Sequence, residues 1–210
     1  MTVDVGTRIA QIAAELRAIA ANGLHYLVSD YDRARYERTR ELAAELTALV
    51  DTRPAAEIAR AFRGDLGLRT PFVGVDAAMF DGDGRVLLVQ RRDSGRWCLP
   101  GGAAEVGESP STAVEREARE ETGLTVRATR LLAVFDNHTF GVRSAIGHIY
   151  HVVFRCEVLG GALAATNETL AARWYTESEA AGLTLSQSHV YKVPAAFEAY
   201  KFPDRPAAFH

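Results

Sequence analysis

The hydrophobic period of the chain changes once, near Pro71, and that change limits the fold more than any other feature. Before it, apolar residues recur at helical spacing. Ile9, Ile12, Ala13, Leu16, Ile19 and Ala20 form a stripe within residues 4–21 that stops near Asn22-Gly23. Ser29 or Asp30 opens a second expected helix over residues 31–50, with Leu42, Leu46 and Leu49 on one face. Pro54 opens a third, short helix reaching Phe62. After Pro71 the period is two. Residues 72–80 and 85–91 flank Asp81-Gly82-Asp83-Gly84, a hairpin signal. Further strands are expected at 125–136, 147–158 and 172–176, and a last helix at 187–200. Strands that do not alternate strictly with helices indicate an α+β domain with a mixed sheet between helices. The expected organisation is a helical N-terminal domain at 1–64, a linker at 65–71 within RGDLGLRTP, and a second domain at 72–210. Two or three short amphipathic helices bury a marginal core alone, so the first domain is expected to dock on the second domain or to pair with its copy in a second subunit.

Composition excludes several classes of function. Twenty-four basic and 27 acidic residues give a net charge of -3, so no basic surface for nucleic acid is evident. No stretch approaches the roughly 18 apolar residues of a membrane span, and no N-terminal run resembles a signal peptide. A soluble, cytoplasmic protein is expected. Cys98 and Cys156 are isolated, fit no metal or redox spacing, and read as small buried residues.

The chemistry is concentrated in GAAEVGESPSTAVEREAREETGL, residues 102–124. Ser109 suits an N-cap, Pro110 the first helical position and Gly123 the C-terminal stop. On the resulting helix Glu117, Glu120 and Glu121 fan over about 100° of the surface. Ala113 falls inside that fan, and Val114 and Ala118 lie beside Glu121, so the acidic stripe adjoins the apolar side. An acidic helix is most often a solvated face; here three carboxylates at the edge of a core repel one another unless a cation lies between them. Glu115 and Arg119 point the other way, as an exposed i, i+4 pair, and Arg116 is placed to orient Glu120. Oxygen-only ligation suits Mg²⁺, with Mn²⁺ as a substitute, and such ions usually share a phosphate with the protein.

The full spacing is Gly102, five residues, Glu108, seven residues, Arg116-Glu117, two residues, Glu120-Glu121, one residue, Gly123. It resembles the signature box of the Nudix hydrolases, which cleave a nucleoside diphosphate linked to another group. Every polar and glycine position of that box matches, and Ala118 replaces a bulky aliphatic residue. VLLVQRR (86–92) and RWCLPGG (96–102) resemble the strand and turn leading into it, and the resemblance covers roughly residues 71–185. GLHYLVSDYDRARYERTRELAAEL (23–46), through Gly23, Tyr26, Asp32, Arg35 and Tyr36, resembles the helical N-terminal region of a subgroup acting on CDP-choline and ADP-ribose-like compounds.

The resemblance implies an α/β/α sandwich, a small-molecule nucleotide substrate, and a homodimer paired through the helical region. It implies that Glu117, Glu120 and Glu121 hold the metal with the Gly102 carbonyl, and that Glu108 and Arg116 orient those ligands. The general base is left open between a box glutamate, Glu120 or Glu121, and Glu168 in ATNETLAARWY. Arg91, Arg92 and Arg96 are candidate phosphate contacts; Phe140, Tyr150 and His138 are candidate base contacts, each with a competing reading as surface or core. His148 and His151 are expected on opposite faces of one strand. The implied reaction is Mg²⁺-dependent hydrolysis of a nucleoside diphosphate derivative to a nucleoside monophosphate and a phosphorylated moiety. Two alternatives stand beside it: cleanup of damaged nucleoside triphosphates, and a non-catalytic sensing module.

Overall fold

The computed structural model describes residues 4–26, 29–64, 70–105, 107–141, 148–164 and 166–209. Most of the expected linker, residues 65–69, lies outside the described residues. The chain forms two compact units, Met1–Pro71 with Asn137–Ile149, and Phe72–Asp136 with Tyr150–His210. The described residues 137–141 and 148–149 therefore group with the helices, although they lie between two strands of the second unit.

In the first unit, α1 (Val5–His25) starts where the Asp4 side chain accepts from Thr7 N, and α2 (Asp30–Ala48) where Ser29 accepts from Asp32 N. Ser29 is thus the cap that the sequence offered as one of two. Helix α3 (Ala55–Arg63) follows Pro54. A side chain at Gly23 would collide with the Tyr36 ring, whose carbons lie 2.3–2.4 Å from an ideal Cβ, so glycine is what lets α1 approach α2. The core consists of Ala43, Ala44, Ile58 and Phe62, with Leu16, Ala48 and Ala59 at its margin. Alanine dominates it, and Ile19, Leu42 and Leu49 remain exposed. Such a core buries little apolar area for its length.

The second unit has two sheets. One is five-stranded, in the order β4 (Gly101–Ala103), β1 (Phe72–Met79), β6 (Ile149–Gly161), β5 (Leu124–Asp136), β8 (Ala208–Phe209). It is mixed, because β5 runs antiparallel to β6 and parallel to β8. The other has the order β3 (Trp97–Cys98), β2 (Val86–Arg91), β7 (Thr169–Tyr175). Alternate residues of β1 face opposite ways. Val75, Ala77 and Met79 pack with Ala113, Val114 and Ala118 of α4 (Pro110–Thr122). Asp76 bonds to α6 (His189–Lys201), and Phe80 just beyond β1 meets Phe197 and Tyr200 of that helix. The strand thus lies between two helices in an α+β sandwich. A short helix, α5 (Glu177–Ala181), carries a capping box from Thr176 and Glu179.

The turn at residues 81–84 forms, with the Asp81 carboxylate accepting from Asp83 N and Arg85 N. The hairpin does not extend from it. Phe80 and Val86 make a single bridge, after which β1 and β2 enter different sheets. Both strands are buried along almost their whole length, and each spends its edges on other partners. Both cysteines are buried, and burial pushes each thiol up to about 12, which bears out the packing reading.

Candidate active site

Helix α4 sets the frame. Ser109 caps it by accepting from Thr112 N at 3.1 Å, Pro110 starts it, and Gly123 ends it at φ 77°, a backbone that favours glycine. Ala113, Val114 and Ala118 are fully buried, which rolls Glu117 and Glu121 into the margin of the core and leaves Glu120 exposed. Opposite them, Gly101 and Gly102 of β4 pair with Asp76 and Val75 of β1. An ideal Cβ on Gly102 would lie 2.6–2.7 Å from the Glu117 carboxylate atoms. Glycine leaves room for that carboxylate against the turn, and a larger residue would push it aside.

Arg116 ties the acidic residues together. Its Nε and Nη2 donate to the two oxygens of Glu108 at 2.8 and 3.0 Å, and Nη2 also reaches the Ala103 carbonyl at 3.1 Å. Its Nη1 donates to Glu117 at 2.9 Å and to Glu120 at 3.0 Å. Glu121 accepts from Gly101 N at 2.8 Å. Burial pushes the Glu121 carboxyl up to about 7, against that hydrogen bond, and the nearby charges of Glu117 and Glu168 add to the rise. Glu117 is raised in the same way, by burial and then by Glu120 and Glu168, against the pull of Arg116. Carboxylates from α4 and from the loop before β7 therefore act on one another.

Among the described residues, no three carboxylate, imidazole or thiol groups converge on one point at ligand distance. Two of the three helix carboxylates are turned to Arg116, so one cationic nitrogen draws Glu117 and Glu120 together. The donor set fits a hard divalent ion nonetheless. It is all oxygen, it includes two carboxylates held above their usual pKa range by burial, and Gly102 brings a backbone carbonyl into the same turn.

The loop carrying Glu168 is fixed by contacts that sequence reading missed. Arg92 donates to the carbonyls of Asn167 at 2.9 Å, Thr166 at 3.2 Å and Thr169 at 3.3 Å, and Arg92 N donates to the Glu168 carbonyl. Thr169 donates from Oγ1 to the Glu121 carbonyl at 3.1 Å. Arg92, offered as a phosphate contact, is here committed to three carbonyls. Arg91 pairs with Asp93 at 2.7 Å and contributes to the field at Glu121, while Arg96 is exposed beside it. Truncating Arg92 to Ala should release the loop and lower kcat more than it raises KM. A KM effect alone would mark Arg92 as a substrate contact.

Tyr150 is exposed on β6 opposite Asp136, and Phe140 lies half-buried in the 137–149 segment. His148 stacks on His138 at 4.1 Å and lies outside β6, so it does not share a strand with His151 as expected. Glu115 makes no exposed ladder on the far side of α4. Its carboxylate accepts from Ala128 N at 2.9 Å, beside a bulge of β5 where the strand ladder leaves that amide open.

Residues 70–195 match the NUDIX domain model, and residues 7–62 match the model of the UDP-X-like, N-terminal oligomerisation domain. The Bacillus subtilis strain 168 protein YjhB, named provisionally as an ADP-ribose pyrophosphatase, is 31% identical over 207 residues, covering 99% of each chain. An ADP-ribose pyrophosphatase of Methanocaldococcus jannaschii is 33% identical over 125 residues, 58% of this chain and 72% of that one. The crystal structure of a UDP-X diphosphatase superposes with a TM-score of 0.62 at 26% identity, covering 98% of this chain and 99% of that chain. An ADP-ribose pyrophosphatase structure from Streptococcus suis 89-1591 gives 0.54 at 28% identity, over 67% and 100%.

Proposed function

This chain belongs to the Nudix hydrolase family, and on that premise we propose that it hydrolyses the pyrophosphate bond of a nucleoside diphosphate linked to a second moiety, with Mg²⁺. The observation that carries the reading is the complete acidic box folded as one unit, with Arg116 binding Glu108, Glu117 and Glu120 and with Glu121 on the Gly101 amide. ADP-ribose and a UDP-linked compound are the first substrates to test, because the similar proteins bear those names. CDP-choline follows from the helical N-terminal resemblance.

A divalent ion, when bound, neutralises the pyrophosphate oxygens and acidifies a water molecule. Glu117, Glu120, Glu121 and the Gly102 carbonyl are the residues that would hold it. Arg116 and Glu108 keep Glu117 and Glu120 oriented, since a carboxylate already bonded on one side has fewer rotamers to lose. Glu168 is exposed, its charge acts on Glu121, and it is our choice for the proton acceptor, with Glu120 or Glu121 as the alternative. Arg91 and Arg96 would bind the substrate phosphates.

Purified protein with Mg²⁺ should convert ADP-ribose, a UDP-sugar or CDP-choline to a nucleoside monophosphate and a phosphorylated moiety. Release of inorganic pyrophosphate from nucleoside triphosphates alone would instead assign the cleanup reaction. Tight binding without turnover would assign the sensing role.

We further propose that the helical unit pairs two subunits. Its alanine-based core, the exposed Ile19, Leu42 and Leu49, and its match to an oligomerisation domain support this. Light scattering should give a dimer for the natural chain and a monomer for the Ile19→Glu/Leu42→Glu double variant. A monomeric natural chain rules the pairing out.

A further inference from the structure

At the far end of α6 from the acidic box, a cavity of about 430 Å³ opens between that helix and strands β5 and β6. It is lined by two arginines and two aromatic rings, Arg130, Arg155, Phe80 and Tyr200. Phe80 lies four residues along the chain from Asp76, the partner of Gly101, which is about 13 Å of strand. The cavity is therefore separate from the hydrolytic groups.

Its charges are arranged unusually. Arg130 of β5 and Arg155 of β6 are directly paired across the ladder, so two like charges share one face of the sheet. Arg130 keeps its charge and is partnered locally. Its guanidinium donates to the carbonyl of Ala199 at 2.8 Å and to that of Pro203, at the negative end of α6. Arg155 has no such outlet. Its Cζ lies 4.8 Å from the Phe80 ring centre and 5.3 Å from that of Tyr200, and its Nη1 is buried with no hydrogen-bond partner among the described residues. Phe80 and Tyr200 are stacked at 4.3 Å, which makes a rigid flat wall beside it. Burial and the neighbouring Arg130 both disfavour the charge on Arg155. A half-buried guanidinium facing a second one across a strand pair, with one buried nitrogen unpartnered among the described residues, is a costly arrangement that an incoming anion would relieve.

We propose that this cavity binds a small oxyanion, a phosphate or carboxylate carried on a compact organic body, with Arg155 as its main donor. Arg130 supplies the second positive charge, and the Phe80–Tyr200 wall packs the body of the ligand. The volume lies within the range of small-molecule pockets.

The probes are phenyl phosphate, benzoate and inorganic phosphate, added to the full chain with a chelator present so that no metal-dependent binding at the acidic box contributes. Thermal unfolding of the natural protein should show a saturable rise in midpoint with at least one probe. Arg155→Met should abolish that rise while melting no lower than the natural protein without probe, and should keep hydrolysis within about twofold, since the cavity lies a strand's length from the box. A response to phenyl phosphate alone identifies a phosphate ligand, and a response to benzoate alone a carboxylate. Thr129→Trp fills the cavity from its rim and leaves both guanidiniums in place, so it decides the question if Arg155→Met fails to fold. No response in the natural protein, or one that survives in whichever of these variants folds, overturns the proposal.

Discussion

On the proposed assignment, Glu121→Gln should lower Mg²⁺-dependent turnover by about 100-fold or more and leave the fold intact, because loss of a metal carboxylate would forfeit several kcal/mol of charge stabilisation. The substitution preserves size, and the amide oxygen of Gln can still accept from Gly101 N, the bond that now holds Glu121 at 2.8 Å. What it removes is a charge that burial already disfavours, since the carboxyl is pushed up to about 7. Without divalent ion the variant should therefore melt no lower than the natural protein. With Mg²⁺ the two should separate, the natural chain gaining stability through ligand binding and Glu121→Gln gaining less. Glu120→Gln should show the same loss of rate from an exposed position, where packing plays no part. Glu115→Gln is the internal control: it lies on the same helix but its carboxylate accepts from the Ala128 amide, away from the box, and should keep its rate. If the Glu120 and Glu121 variants both turn over at the natural rate, neither residue holds the ion and the box assignment falls.

Local signals are legible in the sequence, and distant pairings are not. Ser109, Pro110 and Gly123 bound α4 because caps and stops act within one turn, and the apolar side of that helix follows from its period. The residues 81–84 turn was legible for the same reason, yet its strands part, because sheet membership depends on partners far along the chain. The two-residue strands β3 and β8 are too short to show any period. Arg92 looked like one of three equivalent arginines before the box. Only the fold brings it to Thr166, Asn167 and Thr169, more than 70 residues away. Asp76 is the plainest omission. In FVGVDAAMF it is a lone acid in an apolar strand; His189 and Lys192 are i, i+3 on one helix, but nothing local ties them or His151 to an acid so far back along the chain.

Asp76→Asn should cost about 3–5 kcal/mol of stability, a large part of the roughly 5–15 kcal/mol that holds a domain together. Lys192 is 1% exposed and donates to Asp76 Oδ2 at 2.7 Å, while His189 Nε2 donates to Oδ1 at 3.0 Å. Burial alone would push the Asp76 carboxyl up; the Lys192 charge and hydrogen bonds from His151 and His189 outweigh it and hold the group well below the usual carboxylate range. Asparagine leaves the ammonium buried without a counter-charge. Asp76→Leu with Lys192→Met removes both ions at once and should recover most of the loss, a coupling that a double-mutant cycle in urea would read directly. The same cluster sets an acid limit. Burial and then Lys192 push His189 down to about 4, from an ordinary 6.5, so the folded protein keeps it neutral where the unfolded chain protonates it. Its stabilising effect is complete above pH 6.5 and is lost as pH falls toward 4, on the order of 3 kcal/mol. Asp76 extends the decline below pH 3.8 in the same direction. Urea midpoints at pH 7, 5.5 and 4 should fall steadily for the natural protein and more shallowly for His189→Gln. An Asp76→Asn midpoint equal to the natural one would mean that water reaches Lys192 and that the ion pair contributes nothing.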